Sequence, residues 1–398
     1  MIVQPKIRSN ICLTAHPTGC ARQVEAQIDY VLSRGPAPSS VRPSRNALII
    51  GSSNGYGLAA RIVAAYAFGA STVGVAFERP GGLEEGGRER LGTAGWYNDR
   101  GFLARAERDG KAAWSVNGDA FSPEIKAETI GLIRGHLGPI DLLVYSVAAP
   151  RRQDPVTGTL HSSVIKPIGQ PFISKTLDFQ SGVVSEICAE PAASQQEIDD
   201  TVKVMGGEDW RLWVEALADE GLLAEGATTM AFSYIGPRFT APIYRDGTMG
   251  RAKEHLETTA RALQGSMADR GGRAVVSVNK ALVTRASAVI PAVPLYIALL
   301  YRVMKERGLH EACIHQMDRL FREHLPAEGP IATDAEGRLR LDDWEMREDV
   351  QAEVFRRWEL AETDTIMTLA DVTGFREEFL RFHGFGVEGV DYSAEVDP

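Results

Sequence analysis

What most constrains the fold of this chain is an alternation of short apolar, β-rich runs with helical stretches. The runs are "NALIIG" (46–51), "STVGVAFE" (71–78), "AAWSVNGDAF" (112–121) and "IDLLVYSVAA" (140–149). Unbroken apolar runs of this length, each followed by a helical pattern, predict parallel strands covered on both faces. Between the first two lies "YGLAARIVAAYAFG" (56–69), alanine-rich and stopped by glycine, as suits a crossover helix. "SPEIKAETIGLIRGHLG" (122–138) repeats the pattern, with Ser122 as N-cap, Pro123 at the first helical position and Gly138 as the stop. Further along, "TTMAFSY" (228–234) and "GRAVVSVNKALVT" (272–284) predict a fifth and a sixth strand. The expected fold class is α/β: a Rossmann-like doubly wound parallel sheet.

"GSSNGYG" stands at the first strand-to-helix turn, with Gly51, Gly55 and Gly57 in a GxxxGxG spacing. Glycine there lets the backbone turn tightly and approach a pyrophosphate, which the helix N-terminus then receives on free N–H groups. Glu78 ends the second run, where a carboxylate accepts hydrogen bonds from ribose hydroxyls and repels a 2′-phosphate; a solvated strand-end glutamate is the plainer alternative. Asp119 is read as a partner of the adenine amino group or as a turn aspartate. Ala148 and Ala149 are small enough to let a cofactor lie against the fourth strand's end, or simply pack there. Thr284 and the backbone of Ala281, Leu282 and Val283 lie past the sixth strand, where open α/β sheets bind their ligands.

The chemistry is expected in "YIGPRFTAPIYRDGTMGRAK" (234–253), which holds Tyr234, Tyr244 and Lys253. At about 100° per residue, a continuous helix would put Tyr244 and Lys253 on opposite faces. Asp246-Gly247 breaks it: a helix starting just before Lys253 and running to about residue 268 leaves Tyr244 on a preceding loop. An ammonium beside a phenol lowers the phenol's pKa and can hold a ribose. A phenol so tuned can protonate a substrate as negative charge develops on it.

Composition excludes other classes. The net charge of −10 is spread in mixed signs, which argues against nucleic acid or a polybasic membrane anchor as partner. Four cysteines (Cys12, Cys20, Cys188, Cys313) show no CxxC pair and no zinc-ligand spacing, so reduced thiols in a cytoplasm and no metal are expected. The N-terminus lacks a signal-peptide h-region, and "AVIPAVPLYIALLY" (288–301) is too short for a bilayer. That run predicts a bend leading into an apolar helix near Pro294, either plain core or, from Ile290 to Leu295, the wall of an acyl pocket.

The segments "PKIRSNICLTAHPTGC", "GSSNGYGLAARI", "GTAGWYN", "NGDAFSPEIK", "VMGGEDW", "YIGP", "SVNKALVTRASAVIP" and "GFGVEGVDY" follow in order along the chain. With the Tyr-x8-Lys pair, they make it resemble the trans-2-enoyl-CoA reductases and FabV-type enoyl-acyl-carrier-protein reductases over essentially its whole length. The resemblance implies NADH-dependent reduction of the 2,3 double bond of enoyl-CoA or enoyl-acyl-carrier-protein thioesters in fatty acid metabolism. It implies Tyr244 as proton donor, Tyr234 as substrate contact and Lys253 as cofactor-binding lysine. It places cofactor contacts at Gly51, Ser52, Ser53, Asn54, Gly55, Tyr56, Phe77, Glu78, Asp119, Ala120, Val147, Ala148, Ala281, Leu282, Val283 and Thr284. Val147 stands where the family pattern suggests leucine. A family label attaches a flavin-binding name to the C-terminal region; no flavin motif is visible there, and NADH alone is expected. A monomer is expected, built as one domain with an N-terminal extension (1–45), a dinucleotide-binding and catalytic core (46–310) and a C-terminal helical extension (311–398). The alternatives are a carbonyl reductase using the same pair, or a non-catalytic NAD(H)-sensing module, which would not need the pair.

Overall fold

The four early runs become adjacent strands β1 (Asn46–Ile50), β2 (Ser71–Ala76), β3 (Ala113–Asn117) and β4 (Ile140–Tyr145). The computed structural model describes all residues except 9, 43, 84, 85, 88, 285, 286, 288, 289 and 291. β5 (Leu223–Ser233), β6 (Arg273–Val278) and β7 (Arg338–Arg340) complete a parallel sheet in the order β3-β2-β1-β4-β5-β6-β7. The central strands β1, β2 and β4 are mainly apolar because both faces are covered. Ala47 and Ile49 of β1 face the core under α1 (Pro17–Ser33), α2 (Gly55–Ala67), α3 (Ala94–Arg108) and α9 (Cys313–Glu323). Leu48 and Ile50 face the opposite core, under α4 (Pro123–His136), α6 (Glu208–Asp219) and α7 (Thr248–Met267).

A third apolar cluster is centred on α8 (Val293–Glu306), the expected helix of the greasy run, whose Leu295 to Tyr301 are fully buried. Around it pack α10 (Glu348–Leu360), α12 (Val372–Arg381) and the antiparallel hairpin Phe172–Asp178 with Val183–Ala189. α5 (Gln195–Met205) lies along α7, and the one-turn α11 (Ile366–Leu369) joins α10 to α12. Among the described residues no helix is long and apolar enough to cross a membrane.

The expected boundaries need two corrections. The third run stops pairing at Asn117, which leaves Asp119 in the following turn. The C-terminal segment is not purely helical: Arg338, Leu339 and Arg340 pair in parallel with Val276, Ser277 and Val278. Three residues with a single apolar member carry no readable period. The exposed hydrogen-bonding edge of β6 makes them a strand, and Asp334 and Asp342 neutralise the two flanking arginines.

One buried ion pair ties the first helices to the sheet. Arg61 of α2, fully buried, donates to Asp99 of α3 at 2.8 Å, to Ser115 Oγ of β3 at 3.0 Å and to the Trp114 carbonyl at 2.5 Å. Room for it comes from Gly74 in β2, where a Cβ would lie 2.5 Å from the guanidinium. Removing one partner strands a charge in a dry interior, which typically costs about 3–5 kcal/mol. Asp99→Ala should therefore lose that much in denaturant unfolding. Arg61→Met, which removes the deeper charge and keeps a long side chain, should lose less; the reverse order would contradict this account.

Candidate active site

The chain leaves β1 through Gly51, whose φ of +85° is one that L side chains avoid. A Cβ there would lie 2.2 Å from the Ser146 carbonyl at the end of β4, so the two strand ends approach this closely only with glycine. From here β1 leads to α2 on one face and β4 leads toward α6 on the other, which opens a crevice at the switch point. Asn54 is the N-cap of α2, yet its side chain makes no capping bond, so the first-turn amides stay available. Gly55 follows with φ +53°, and the nearest atom to a Cβ there is the Thr284 methyl at 3.9 Å. An uncapped, glycine-opened helix start facing a second strand's loop fits a dinucleotide pyrophosphate.

Of the residues expected beside this turn, Glu78 is bonded to it directly. Glu78 follows β2, and its Oε1 accepts from Ser53 Oγ at 2.7 Å and from Asn54 Nδ2 at 3.3 Å. Its backbone is pinned by the Asn117 side chain through bonds of 2.8 and 2.9 Å. Glu78 is thus a buried, held carboxylate and not the solvated strand-end glutamate of the alternative reading. Its place also depends on Gly95, since a Cβ there would lie 2.1 Å from Oε1. Phe77 is open to solvent, as is Ala148 at the end of β4, where Val147 is half-buried. Asp119 accepts from the Phe121 amide at 3.0 Å, and the Ala120 carbonyl accepts from Lys126 and Trp213. Asp119 therefore holds a turn with one oxygen, whatever the other does. Tyr56 donates from its hydroxyl to the Lys280 carbonyl at 2.6 Å, joining the first turn to the end of β6.

The 281–284 segment is more committed than its sequence suggests. Its Ala281 amide donates to Glu345 at 2.6 Å, its Val283 amide to Tyr301 Oη at 3.0 Å and its Thr284 amide to Ser287 Oγ at 2.8 Å. These amides hold the loop in place, and Thr284 reaches Gly55 with its side chain.

Tyr234 follows β5 directly, and Tyr244 lies in the turn before α7, as expected from the Asp-Gly break. Their rings meet edge-on, 5.0 Å between centroids and 89° between planes. Tyr244 is buried against Ile243, Ile290 and Leu295 in the α8 cluster, with Tyr234 and Phe239 at its margin. Burial, and behind it the Glu345 carboxylate, raises both phenols well above their ordinary range, so both stay protonated. Lys253 sits in the second turn of α7, where desolvation lowers its ammonium to about 8 against the opposing pull of Glu257. Among the described residues neither the Tyr244 hydroxyl nor the Lys253 ammonium has a hydrogen-bond partner. The structure thus joins Tyr244 to Tyr234 directly, and among the described residues neither hydroxyl is hydrogen-bonded to Lys253.

Sequence reasoning missed Glu345 and Lys280. Fully buried Glu345 accepts from the Ala281 amide and from Tyr296 Oη at 2.6 Å, and its Oε1 lies 3.4 Å from Tyr234 Oη. Lys280, equally buried, donates to the Ala281 carbonyl at 3.1 Å over the Tyr301 ring. Glu345 lies in a charged stretch, "DDWEMRED", that reads as surface, and Lys280 lies in the sixth predicted strand run, where no role marks it. Only the tertiary fold puts them inside.

The model of the trans-2-enoyl-CoA reductase catalytic region matches residues 90–325, and that of the NAD(P)H-binding domain of trans-2-enoyl-CoA reductase matches 2–82. A third, described as an enoyl reductase FAD-binding domain, matches 333–396. Enoyl-[acyl-carrier-protein] reductase [NADH] from Coxiella burnetii is 53% identical over 399 residues, covering 100% of this chain and 96% of the relative. The same-named protein from Flavobacterium johnsoniae is 51% identical, covering 100% and 98%. Trans-2-enoyl-CoA reductase from Treponema denticola, solved in complex with NAD, is 50% identical with a TM-score of 0.94, covering 100% of this chain and 98% of that one. The Clostridium acetobutulicum enzyme, solved with NADH, is 44% identical with a TM-score of 0.93 and the same coverage.

The 333–396 segment does not fit a flavin. Its glycine Gly384 packs on His16 and Cys20 of the N-terminal helix, and Gly337 makes the tight turn before β7. Among the described residues none of its glycines opens a helix after a strand, which a flavin pyrophosphate would need. The match over most of the chain, the parallel sheet and the relatives of about half identity agree: the chain belongs to the trans-2-enoyl-CoA reductase family.

Proposed function

We propose that this chain reduces the 2,3 double bond of trans-2-enoyl thioesters, of CoA or of an acyl-carrier protein, with NADH in fatty acid metabolism. Tyr244 is the proton donor, Tyr234 the thioester contact and Lys253 the ribose-holding cation. The observation that carries the assignment is the edge-on pair of half-buried Tyr234 and buried Tyr244, set past the carboxyl end of β5 in the sheet whose β1 ends in the uncapped glycine turn. Family membership supports it. A carbonyl reductase would need the same phenol and ammonium; the apolar wall around Tyr244 favours an acyl substrate. We also infer a monomer, as the family resemblance implies, in a cytoplasm that keeps its four free cysteines reduced.

NADH supplies a hydride to C3 of the enoyl group. The chain's task is to stabilise the negative charge that then develops on the thioester oxygen, and to protonate C2. A phenol kept protonated by burial donates a hydrogen bond to that oxygen at no reorganisation cost, because dry walls exclude competing water. Tyr234 orients the carbonyl, and Lys253 eases proton release from Tyr244 through its field. Glu78, fixed by Ser53 and Asn54, presents its carboxylate to the adenosine ribose. Ser52 and the Gly51–Tyr56 turn carry the pyrophosphate, and Phe77, Asp119, Ala120, Val147 and Ala148 line the adenine and nicotinamide ends.

Incubating the protein with crotonyl-CoA and following NADH absorbance tests the activity. Tyr244→Phe keeps the ring and should lose ~10²–10⁴ in kcat with little change in NADH affinity. Tyr234→Phe should lose less. Lys253→Met should weaken NADH binding and lower kcat together. Since the ammonium is lost as pH rises through about 8, native NADH affinity should fall across that pH and the Lys253→Met affinity should not. A dead Tyr234→Phe beside a nearly active Tyr244→Phe would exchange the two roles.

Cofactor choice rests on Glu78. Two unit charges about 4 Å apart at an effective dielectric near 20 repel by about 4 kcal/mol, an upper figure beside a solvated 2′-phosphate. NADH should be preferred over NADPH by at least about tenfold in kcat/KM, a smaller demand of about 1.4 kcal/mol, and Glu78→Ala should narrow the gap. Equal use of both cofactors by the native protein would contradict this role.

Ile290 is buried in the cluster that holds Tyr244 and the start of α8, while residue 291 of the expected pocket wall lies outside the described residues. Ile290→Trp should penalise a long-chain enoyl-CoA more than crotonyl-CoA in kcat/KM. Uniform loss across chain lengths would make Ile290 a packing residue only.

A further inference from the structure

Among the described residues Glu345 is the one carboxylate bonded to the loop after β6, to the start of α8 and to the Tyr234 phenol at once. It lies between β7 and α10 and is wholly shielded from water. Its Oε2 takes the Ala281 amide at 2.6 Å and its Oε1 the Tyr296 hydroxyl at 2.6 Å. The Tyr296 oxygen itself accepts from Gln351 Nε2 at 3.1 Å, which commits the Tyr296 hydrogen to Glu345. The remaining contact, 3.4 Å between Oε1 and Tyr234 Oη, can run either way. A carboxylate draws the Tyr234 hydrogen toward itself; a neutral carboxyl donates to the Tyr234 oxygen and frees that hydrogen.

We propose that Glu345 is a positioning residue that works in its neutral form, donating to the Tyr234 oxygen and so turning the Tyr234 hydrogen toward the thioester. The proposal rests on the reading of Tyr234 as the thioester contact. Its physical basis is charge. Reduction builds negative charge on the thioester oxygen, and an ionised carboxylate one phenol away opposes that charge while withholding the donor meant for it.

The groups facing Glu345 are Tyr234 after β5, Lys280 after β6, Tyr296 of α8, Tyr56 of α2, Tyr244 before α7 and Asp342 of its own segment. Lys280 is the sole cation in this set, and its ammonium is spent on the Ala281 carbonyl and the Tyr301 ring. Burial raises the Glu345 carboxyl to about 7, the pull of Lys280 and the two short donors acting the other way. The acid form therefore predominates below neutrality and is lost as pH rises through it.

The test uses the full chain with saturating NADH and crotonyl-CoA between about pH 6 and about pH 7.5, below the loss of the Lys253 charge. Native kcat should fall about fourfold across that window as Glu345 ionises. Glu345→Gln puts an amide NH₂ at the Oε1 position, which donates to the Tyr234 oxygen without titrating but no longer accepts the Tyr296 hydrogen, and should keep at least about a tenth of the native kcat at the acid end. It should show no fall, with NADH affinity unchanged within about twofold. A Glu345→Gln variant that keeps the native fall, or loses kcat and NADH affinity in parallel, would overturn the proposal.

Tyr234→Phe serves where Glu345→Gln does not fold. With no hydroxyl to reorient, it should be slower and flat across the same window. If it is slower but still falls, Glu345 has no such role and the reading of Tyr234 stands. If it matches the native kcat, the reading of Tyr234 as thioester contact fails, and this inference with it.

Discussion

The close approach of the β1 and β4 ends is the constraint on which the site depends. Adjacent parallel strands whose connections leave on opposite faces must part at their carboxyl ends, and a ligand enters where they part. Here the parting begins at Gly51, pressed against the Ser146 carbonyl with no room for a Cβ. The uncapped start of α2, the Glu78 carboxylate held by Ser53 and Asn54, and the tie from Tyr56 to the Lys280 carbonyl are all placed by that one turn. A side chain at position 51 would push β1 from β4 and move each of them.

Buried charge is handled in two ways in this molecule, and the difference marks the site. Arg61 is deep but fully partnered: Asp99, Ser115 and the Trp114 carbonyl take its donors, so burial there stiffens the junction of α2, α3 and β3. Lys253, Lys280 and Glu345 are not matched one to one. Desolvation outweighs their partners and shifts each toward its neutral form, the lysines to about 8 and the glutamate to about 7. Groups held near the midpoint of their titration at working pH suit proton and charge handling better than they suit stability.

The C-terminal segment is part of the site and not an appendage to it. β7 lengthens the sheet by a strand, which carries the chain back across the end of β6 and sets Glu345 down beside Ala281 and Tyr234. α10 and α12 then close the apolar cluster around α8 that also buries Tyr244. Removing this segment would expose the α8 wall and leave Tyr234 without its buried neighbour. The segment is thus bound into two cores, Leu339 of β7 into the one under α2 and α9, and α10 and α12 into the α8 cluster that holds Tyr244.

The local sequence determined the first six strands, because strands buried on both faces read as mainly apolar runs and those at 46–51, 71–78 and 140–149 hold few polar residues. It determined the caps at Ser122 and the stop at Gly138, which follow from hydrogen bonding within a few residues. The break at Asp246-Gly247 likewise put Tyr244 on a turn and Lys253 on a helix, as the structure has them. The role of Tyr234 was legible only as far as its place at a strand end. What tertiary structure alone decided are the contacts between distant segments: β7 on the edge of β6, the Tyr234–Tyr244 ring contact and the burial of Glu345 and Lys280. "RLR" and "DDWEMRED" are charged, and charge reads as surface until another element takes away the water. Periodicity records which face of an element is buried, but not which partner buries it, and the chemistry here lies in the partners.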